Sequence, residues 1–211
     1  MFARGSAAAV QQEAVHQENL AIAAGLKQQE AGLLDELIVR YQHRLLRYLL
    51  FLTSSRELAE DLFQEVWMRV LLRGGQYNGK ARFDTWLFTI ARNLVIDYRR
   101  KRTLASLDEL LDGTTEDDRP MSYEVVDGQP TPFDRMASGQ DRERIAAALL
   151  ELDTVYREVL VLRFHEDLSL QEIATVTRAP LSTVKSRLYR GLAAIKPGLE
   201  AATARPDEVG G

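Results

Sequence analysis

The twenty residues from Phe83 to Arg102 bring aromatic, amide and guanidinium groups together at helical spacing. At about 100° per residue, Leu87, Ile90, Ala91, Leu94 and Tyr98 share one face suited to a core. Trp86, Asn93 and Arg100 fall on a second stripe, and Arg92 and Arg99 on a third. Rings, amides and guanidinium groups stack on bases and hold phosphates. An ordinary amphipathic helix whose basic end complements its dipole would show the same pattern. The segment alone does not separate the two readings.

A second constellation runs from Leu168 to Leu192. Ser169 and Glu172 have capping-box spacing at the start of a helix whose packing side is Ile173, Ala174 and Val176. Arg178-Ala179-Pro180 makes a turn, and a second helix follows with Val184, Leu188 and Leu192 on one face. Ser182, Thr183, Lys185, Ser186, Arg187, Tyr189 and Arg190 face outward or flank that face. In a DNA-binding helix-turn-helix the second helix enters the major groove with its first residues on base edges. Small hydroxyl residues there permit close approach, and Lys and Arg bind phosphates or guanine edges. A helical hairpin built only for packing is the competing reading, and the basic face weighs against it.

Other elements must hold these groups in place. Leu33, Leu34, Leu37, Ile38, Tyr41, Leu45 and Leu49 repeat with helical period. Ser54 and Glu57 are spaced as a capping box for a further helix that buries Leu58, Leu62, Phe63, Val66 and Val70. Gly74-Gly75 breaks it, and a loop through Gly79 leads to the Phe83 helix. The first thirty residues, rich in Ala, Gln and Glu, read as a loose helix or as disorder, with no function assigned. Leu111 to Pro132 holds Gly, Pro, Thr and acids without periodicity and reads as a linker. A second helical block runs from about Phe133 to Ile195. Pro197 and Gly198 should end it, leaving a frayed tail. With no convincing strand pattern, the expectation is an all-α chain of two small helical domains joined by an acidic linker.

Composition narrows the possibilities. The 211 residues suffice for one large or two small domains. The absence of cysteine excludes disulfides, thiolate zinc sites and cysteine catalysis. No apolar run approaches the roughly 18 residues of a membrane span, and the N-terminus is too polar for a signal peptide, so a cytoplasmic location is expected. The net charge of -4 argues at first against nucleic acid. Nine acids between Asp108 and Asp134, against Arg119 alone, account for it, and the flanking regions are mildly basic. Glu13 and His16 have the spacing of one di-iron ligand pair, but such a site needs two pairs and further carboxylates. With no phosphate-binding glycine loop or catalytic triad, no enzyme, cofactor or metal is expected.

Together the two halves resemble a known family. Asp61-Leu62-Phe63-Gln64-Glu65-Val66-Trp67, then Phe83-Asp84-Thr85-Trp86-Leu87 and Arg92-Asn93, are similar to region two of bacterial sigma factors. Leu170-Gln171-Glu172-Ile173-Ala174, then Pro180-Leu181-Ser182-Thr183-Val184-Lys185-Ser186-Arg187-Leu188, are similar to region four. Both motifs in this order, with only these two domains, resemble the extracytoplasmic-function (group four) sigma factors. The resemblance implies a transcription initiation factor. Residues 31–103 would be region two, 104–135 the acidic linker and 136–196 region four, flanked by an extension over 1–30 and a tail over 197–211.

It also implies partners and sites. Asp61, Gln64, Glu65 and Met68 would meet the clamp helices of the largest subunit of core RNA polymerase, acids suiting a basic surface. Tyr77, Asn78, Phe83, Trp86 and Asn93 would receive unpaired bases of the promoter minus-ten element, and Arg99, Arg100, Lys101 and Arg102 its phosphates. Ser182, Thr183, Lys185, Ser186, Arg187, Tyr189 and Arg190 would read the minus-thirty-five element as duplex. The linker would thread the polymerase's RNA-exit path. An anti-sigma factor is a further implied partner, and direct membrane insertion is not. Two residues depart from the family pattern: Arg178 stands where a turn glycine is usual, and Asp153 where a proline is. A helix-turn-helix regulator acting without polymerase is the alternative, but it leaves Asp61 to Trp67 and Phe83 to Arg102 without a role.

Overall fold

The structure is a computed structural model that describes residues 3–109 and 139–203. Residues 110–138, which include most of the expected acidic linker, lie outside the described residues. Four helices precede the gap: α1 (Ala3–Gln28), α2 (Leu33–Thr53), α3 (Arg56–Arg73) and α4 (Phe83–Glu109). A 3-10 turn, Gly74–Gln76, follows α3. Four follow the gap: α5 (Gly139–Leu150), α6 (Thr154–Leu160), α7 (Leu170–Thr177) and α8 (Leu181–Thr203). A single π-helical stretch, Val161–His165, extends α6. Among the described residues there is no strand, and the all-α, two-unit expectation holds.

The first unit is built around α2. Its Leu37, Tyr41, Leu45, Tyr48, Leu49 and Phe51 are buried at helical period against α3 and α4. Ser54 does not start α3 as its spacing with Glu57 suggests. It ends α2 in a left-handed conformation (φ 52°), its N–H donating to Leu50 O. The cap of α3 is Ser55, whose Oγ accepts from Leu58 N–H at 3.3 Å. The sequence offers two adjacent serines, and the one that keeps extended backbone becomes the cap.

The core face of α4 is Leu87, Phe88, Ala91, Leu94 and Val95. Tyr98 shares the angle of Leu87 yet is 38% exposed, against expectation. One residue later, Arg99 already reaches the C-terminal end of α2, where Leu52 O accepts from its guanidinium. The helix has there run past the surface that would bury Tyr98. It continues to Glu109, beyond the expected boundary at residue 103. Likewise α8 runs through Pro197 to Thr203 rather than ending there. A proline inside a helix forgoes its N–H bond and its ring crowds the carbonyl four residues before it, here that of Ala193, so α8 passes through this position at a cost in helix stability.

Of the two readings open for the N-terminal segment, helix or disorder, the structure shows the helix. It forms α1, which packs on the first unit through Ile22 and Ala23, with Val15 and Leu26 half-buried. These positions, with Asn19 between them, sit at intervals of four, three, one and three and so define one helical face.

The second unit gathers α5, α6 and α7 around α8, with Val159, Leu160, Leu162, Leu168, Ile173, Val176 and Val184 buried. Gly191, not Leu192, faces the core. A Cβ there would lie 3.2 Å from Leu160 and 3.4 Å from Tyr156, so glycine lets α8 sit directly on α6. Leu192, placed on the packing face by its spacing, is 40% exposed. The two units pack against each other, α4 on α7 and α2 on α6.

Candidate polymerase and nucleic-acid interfaces

Asp61, Gln64, Glu65 and Met68 are all exposed along α3, because Ala59, Leu62, Val66 and Val70 take the buried stripe. Met68 leaves 51% of its surface open and lies near the exposed Leu71 and Leu72. Glu65 is held by Arg69 at 3.0 Å, four residues on. The stripe thus offers acids beside a strip of open apolar side chains, a composition that suits a protein partner.

The loop from Gly74 to Arg82 sits between α3, α4 and α1. Tyr77 and Phe83, two of the expected base-stacking residues, are 4% and 1% exposed. Their rings pack on each other at 5.5 Å, Tyr77 on Trp86 at 5.2 Å and Phe83 on Tyr41 at 5.3 Å. Buried on all sides, they do not present faces to an incoming base. They form the floor on which half-buried Trp86 rests. Asn78 is exposed, and its Oδ1 accepts from Lys80 N–H at 3.0 Å, a local turn that shapes the loop tip. Asn93 is half-buried two helical turns beyond Trp86.

The start of α4 is held by charge. Asp84 is buried and accepts from Arg82 at 2.7 Å, with Arg44 at 3.6 Å. An acid in the first turn complements the helix dipole. At the far end Arg100, Lys101 and Arg102 are exposed, and Asp97 lies 3.3 Å from Arg100. Arg99 donates to Leu52 O, which ties its guanidinium to the end of α2.

The helix-turn-helix takes its expected form. Ser169 Oγ accepts from Glu172 N–H at 3.2 Å, and Ser169 N–H donates to Glu172 Oε2 at 2.7 Å, completing the capping box. Arg178 adopts the left-handed conformation (φ 50°, ψ 36°) that glycine would take more easily. A non-glycine residue there costs about 1–2 kcal/mol. At the start of α8, Ser182, Lys185, Ser186, Tyr189 and Arg190 are exposed, Tyr189 by 71%, while Thr183 and Arg187 are half-buried. Val184 is the buried residue among them, so one helix presents hydroxyls and cations together on its open side.

Sequence reasoning missed the polar contact between the two units. Glu158 Oε1 accepts from Tyr48 O–H at 3.0 Å and from Arg92 Nε–H at 2.8 Å. Glu166 Oε2 accepts from Arg44 Nε–H at 2.7 Å, and Arg47 lies 3.8 Å from its other oxygen. Burial pushes the Glu166 carboxyl above its ordinary range despite both arginines. Arg157 donates to Leu149 O, Phe51 O and Leu152 O at 2.8 Å each, to Ser54 Oγ at 2.9 Å, and to Leu150 O. It thereby ties the ends of α2 and α5. Two of these charges carry a faint signal, since Arg157 and Glu158 interrupt an otherwise apolar run, whereas Glu166 stands among charged neighbours and carries none. Among the described residues no group of three or more His, Asp or Glu is placed to hold a metal, and no helix is long and apolar enough to cross a membrane.

Family comparisons divide the chain in the same way. Sigma-70 region 2 matches residues 37–104, and Sigma-70, region 4 matches residues 142–195. The ECF RNA polymerase sigma factor SigW of Bacillus subtilis (strain 168) is 34% identical, over 67% of this chain and 75% of its own length. SigL of Mycobacterium tuberculosis (strain ATCC 25618 / H37Rv) is 33% identical over 86% of this chain and 97% of its own. Two solved structures share the fold. The sigma factor RpoE of Bartonella quintana, complexed with the anti-sigma factor NepR, has a TM-score of 0.60 at 24% identity, covering 79% of this chain and 96% of its own. CnrH, complexed with the cytosolic domain of CnrY, has 0.59 at 21%, covering 87% and 97%. The chain belongs to the extracytoplasmic-function RNA polymerase sigma factors, which initiate transcription and have no enzymatic activity of their own.

Proposed function

We propose that this chain binds core RNA polymerase through the exposed acidic stripe of α3 and directs it to promoters carrying specific minus-ten and minus-thirty-five elements. The observation that carries this reading is the pairing of two separate open faces. One is Asp61, Gln64, Glu65 and Met68 on α3, and the other is Ser182 to Arg190 on α8. A regulator acting on duplex DNA alone has no use for the first.

In this reading Trp86, Asn78 and Asn93 meet unpaired minus-ten bases, and Arg100, Lys101 and Arg102 hold the adjoining phosphates. Tyr77 and Phe83 support them from below. Extruding a base costs a few kcal/mol, and stacking returns about 1–3 kcal/mol per base. Lys185, Arg187 and Arg190, with Ser182, Thr183, Ser186 and Tyr189, read the minus-thirty-five duplex. The domain division is accordingly 31–103 for region two and 136–196 for region four, with the linker between them.

The two elements lie about 25 base pairs apart, or about 85 Å at 3.4 Å per pair. Two units in direct contact cannot cover that distance, so promoter reading requires them to separate. The 29 residues from 110 to 138 have a covalent reach of up to about 100 Å. The polar contact centred on Glu158 and Glu166 is the part of the fold that opening must break. An anti-sigma factor, of the kind bound to the solved RpoE and CnrH, would act on this chain by holding the units together or covering their faces.

Run-off transcription of genomic DNA with purified core polymerase and this chain, followed by sequencing of the starts, tests the reading. Specific starts that share two upstream motifs are expected. Duplex DNA binding without any polymerase-dependent start would favour the regulator instead.

A further inference from the structure

The loop from Gly74 to Arg82 is backed by α1, an element that lies outside the matched region 2. Three contacts define the backing. At Gly74 a Cβ would stand 3.2 Å from Leu26. At Gly79, where φ is +71°, it would stand 3.0 Å from Asn19 O and 3.1 Å from Leu20 Cα. Between them Asn19, 7% exposed in the middle of α1, turns its side chain into the loop.

Asn19 Oδ1 accepts from Phe83 N–H at 3.0 Å. Phe83 is the first residue of α4, and its N–H is among those no helical carbonyl can satisfy. Asn19 therefore caps α4 from another helix. Because that bond needs an acceptor, it also fixes which atom of the amide is oxygen. The same Oδ1 lies 3.2 Å from Tyr77 O–H, which is 2.7 Å from Ala81 O. A phenol has one proton. The shorter distance assigns it mainly to Ala81 O, with Asn19 Oδ1 as second acceptor. One carboxamide oxygen thus joins the start of α4, the ring beneath Trp86 and, through that ring, the end of the loop. An open cleft of about 580 Å³ adjoins it, bordered by Gln12 and His16 of α1, Lys80 and Arg82 of the loop, and Glu172 of α7.

We propose that Asn19 is a positioning residue for capture of the unpaired minus-ten strand. It touches no DNA. It fixes the loop and the first turn of α4 so that Asn78, Trp86 and Asn93 are held ready. This rests on reading Gly74 to Arg82 and the start of α4 as the strand-capture element. Preorganisation of this kind shows in affinity for the ordered state, since a loose loop must be ordered when the strand binds. Leu26, Ile22 and Ala23 anchor α1 by apolar packing, while Asn19 makes the directional bond to the α4 terminus, so they hold the helix and Asn19 does the aligning.

The test uses holoenzyme assembled from core polymerase and the full chain, with a promoter taken from the run-off experiment. Two fluorescent probes are titrated: its single-stranded minus-ten non-template strand and its minus-thirty-five duplex. Asn19→Ala is expected to weaken the single strand about tenfold while leaving duplex binding and core affinity unchanged. Asn19→Asp keeps an acceptor oxygen and should restore most of the single-strand affinity, whereas the near-isosteric Asn19→Leu, which fills the space without an acceptor, should not. Gly79→Ala, which displaces the loop from α1 without altering Asn19, should reproduce the selective loss. Wild-type single-strand affinity in both Asn19→Ala and Gly79→Ala would overturn the proposal. So would equal loss on both probes without rescue by aspartate. Failure of the wild-type holoenzyme to bind the single strand at all would instead overturn the assignment of the loop itself.

Discussion

Replacing Glu158 with alanine should loosen the contact between the two units without damaging either. Both partners of its Oε1, Tyr48 and Arg92, lie in the first unit. Tyr48 is fully buried, so its hydroxyl would be orphaned at a penalty of about 1–3 kcal/mol. A charge-assisted bond to Arg92 contributes about 1.5–3 kcal/mol, but Arg92 keeps some exposure and recovers part of that from water. A net weakening of about 3 kcal/mol shifts the closed-to-open equilibrium roughly a hundredfold. The chain contains no cysteine, so cysteines introduced at Val39 and Ala194, both exposed, can carry spin labels uniquely. Double electron-electron resonance should show a short, narrow distance in the wild-type background and a long, broad one with Glu158→Ala. Adding Tyr48→Phe removes the orphaned hydroxyl and should recover part of the closed population. An unchanged distance distribution in Glu158→Ala, with helicity intact, would refute the assignment of this contact as the fastening between units.

Other substitutions separate stability from recognition. Arg157→Ala strands carbonyls at the ends of α2 and α5, and should cost about 3–5 kcal/mol, read as a fall in Tm of about 10 °C or more. Arg157→Lys, with a compact ammonium in place of the planar fork, should recover only part of it. Arg187→Ala should weaken binding to minus-thirty-five duplex by about 1–3 kcal/mol while sparing core affinity in a pull-down with polymerase. Glu166 predicts a pH effect. Its pKa is raised in the fold, so the folded contact binds the proton more tightly than the separated chain does. That stabilisation is complete below its ordinary value of 4.5 and is lost as pH rises through the raised value. Spin-label distances in wild type should therefore favour the closed form as pH falls from neutral towards 5, and Glu166→Gln should remove that part of the response. Arg44, Arg47, Asp84 and His165 also face this carboxyl or adjoin it, and comparison with the glutamine variant isolates the contribution of Glu166 from theirs.

Leu62, Val66 and Val70 mark the buried side of α3 by their period, although Leu58 and Phe63 on the same expected face stay half-buried where α3 passes between α2 and α4. That stripe and the capping box of α7 are legible because capping and amphipathicity are decided within a few residues. Errors arose where a second element intervenes. Tyr77 and Phe83 look like base-stacking groups because an exposed and a buried aromatic are written with the same letter. Only the approach of Tyr41 from α2 and Asn19 from α1 makes them floor rather than surface. Tyr98 fails in the opposite sense, since α4 outruns the helix that would cover it. The contact between units is the least legible part, because its ion pairs and hydrogen bonds join residues from 66 to 122 positions apart. Buried Glu158 is marked in sequence only by its interruption of an apolar run, and buried Glu166, among charged neighbours, is not marked at all. The same limit explains α1. Val15, Ile22, Ala23 and Leu26 do mark a helical face, yet the residue that gives the helix its use is the polar one in that face. Amphipathic reasoning discounts such a residue, whereas accounting for unsatisfied backbone N–H groups at the start of α4 finds it at once.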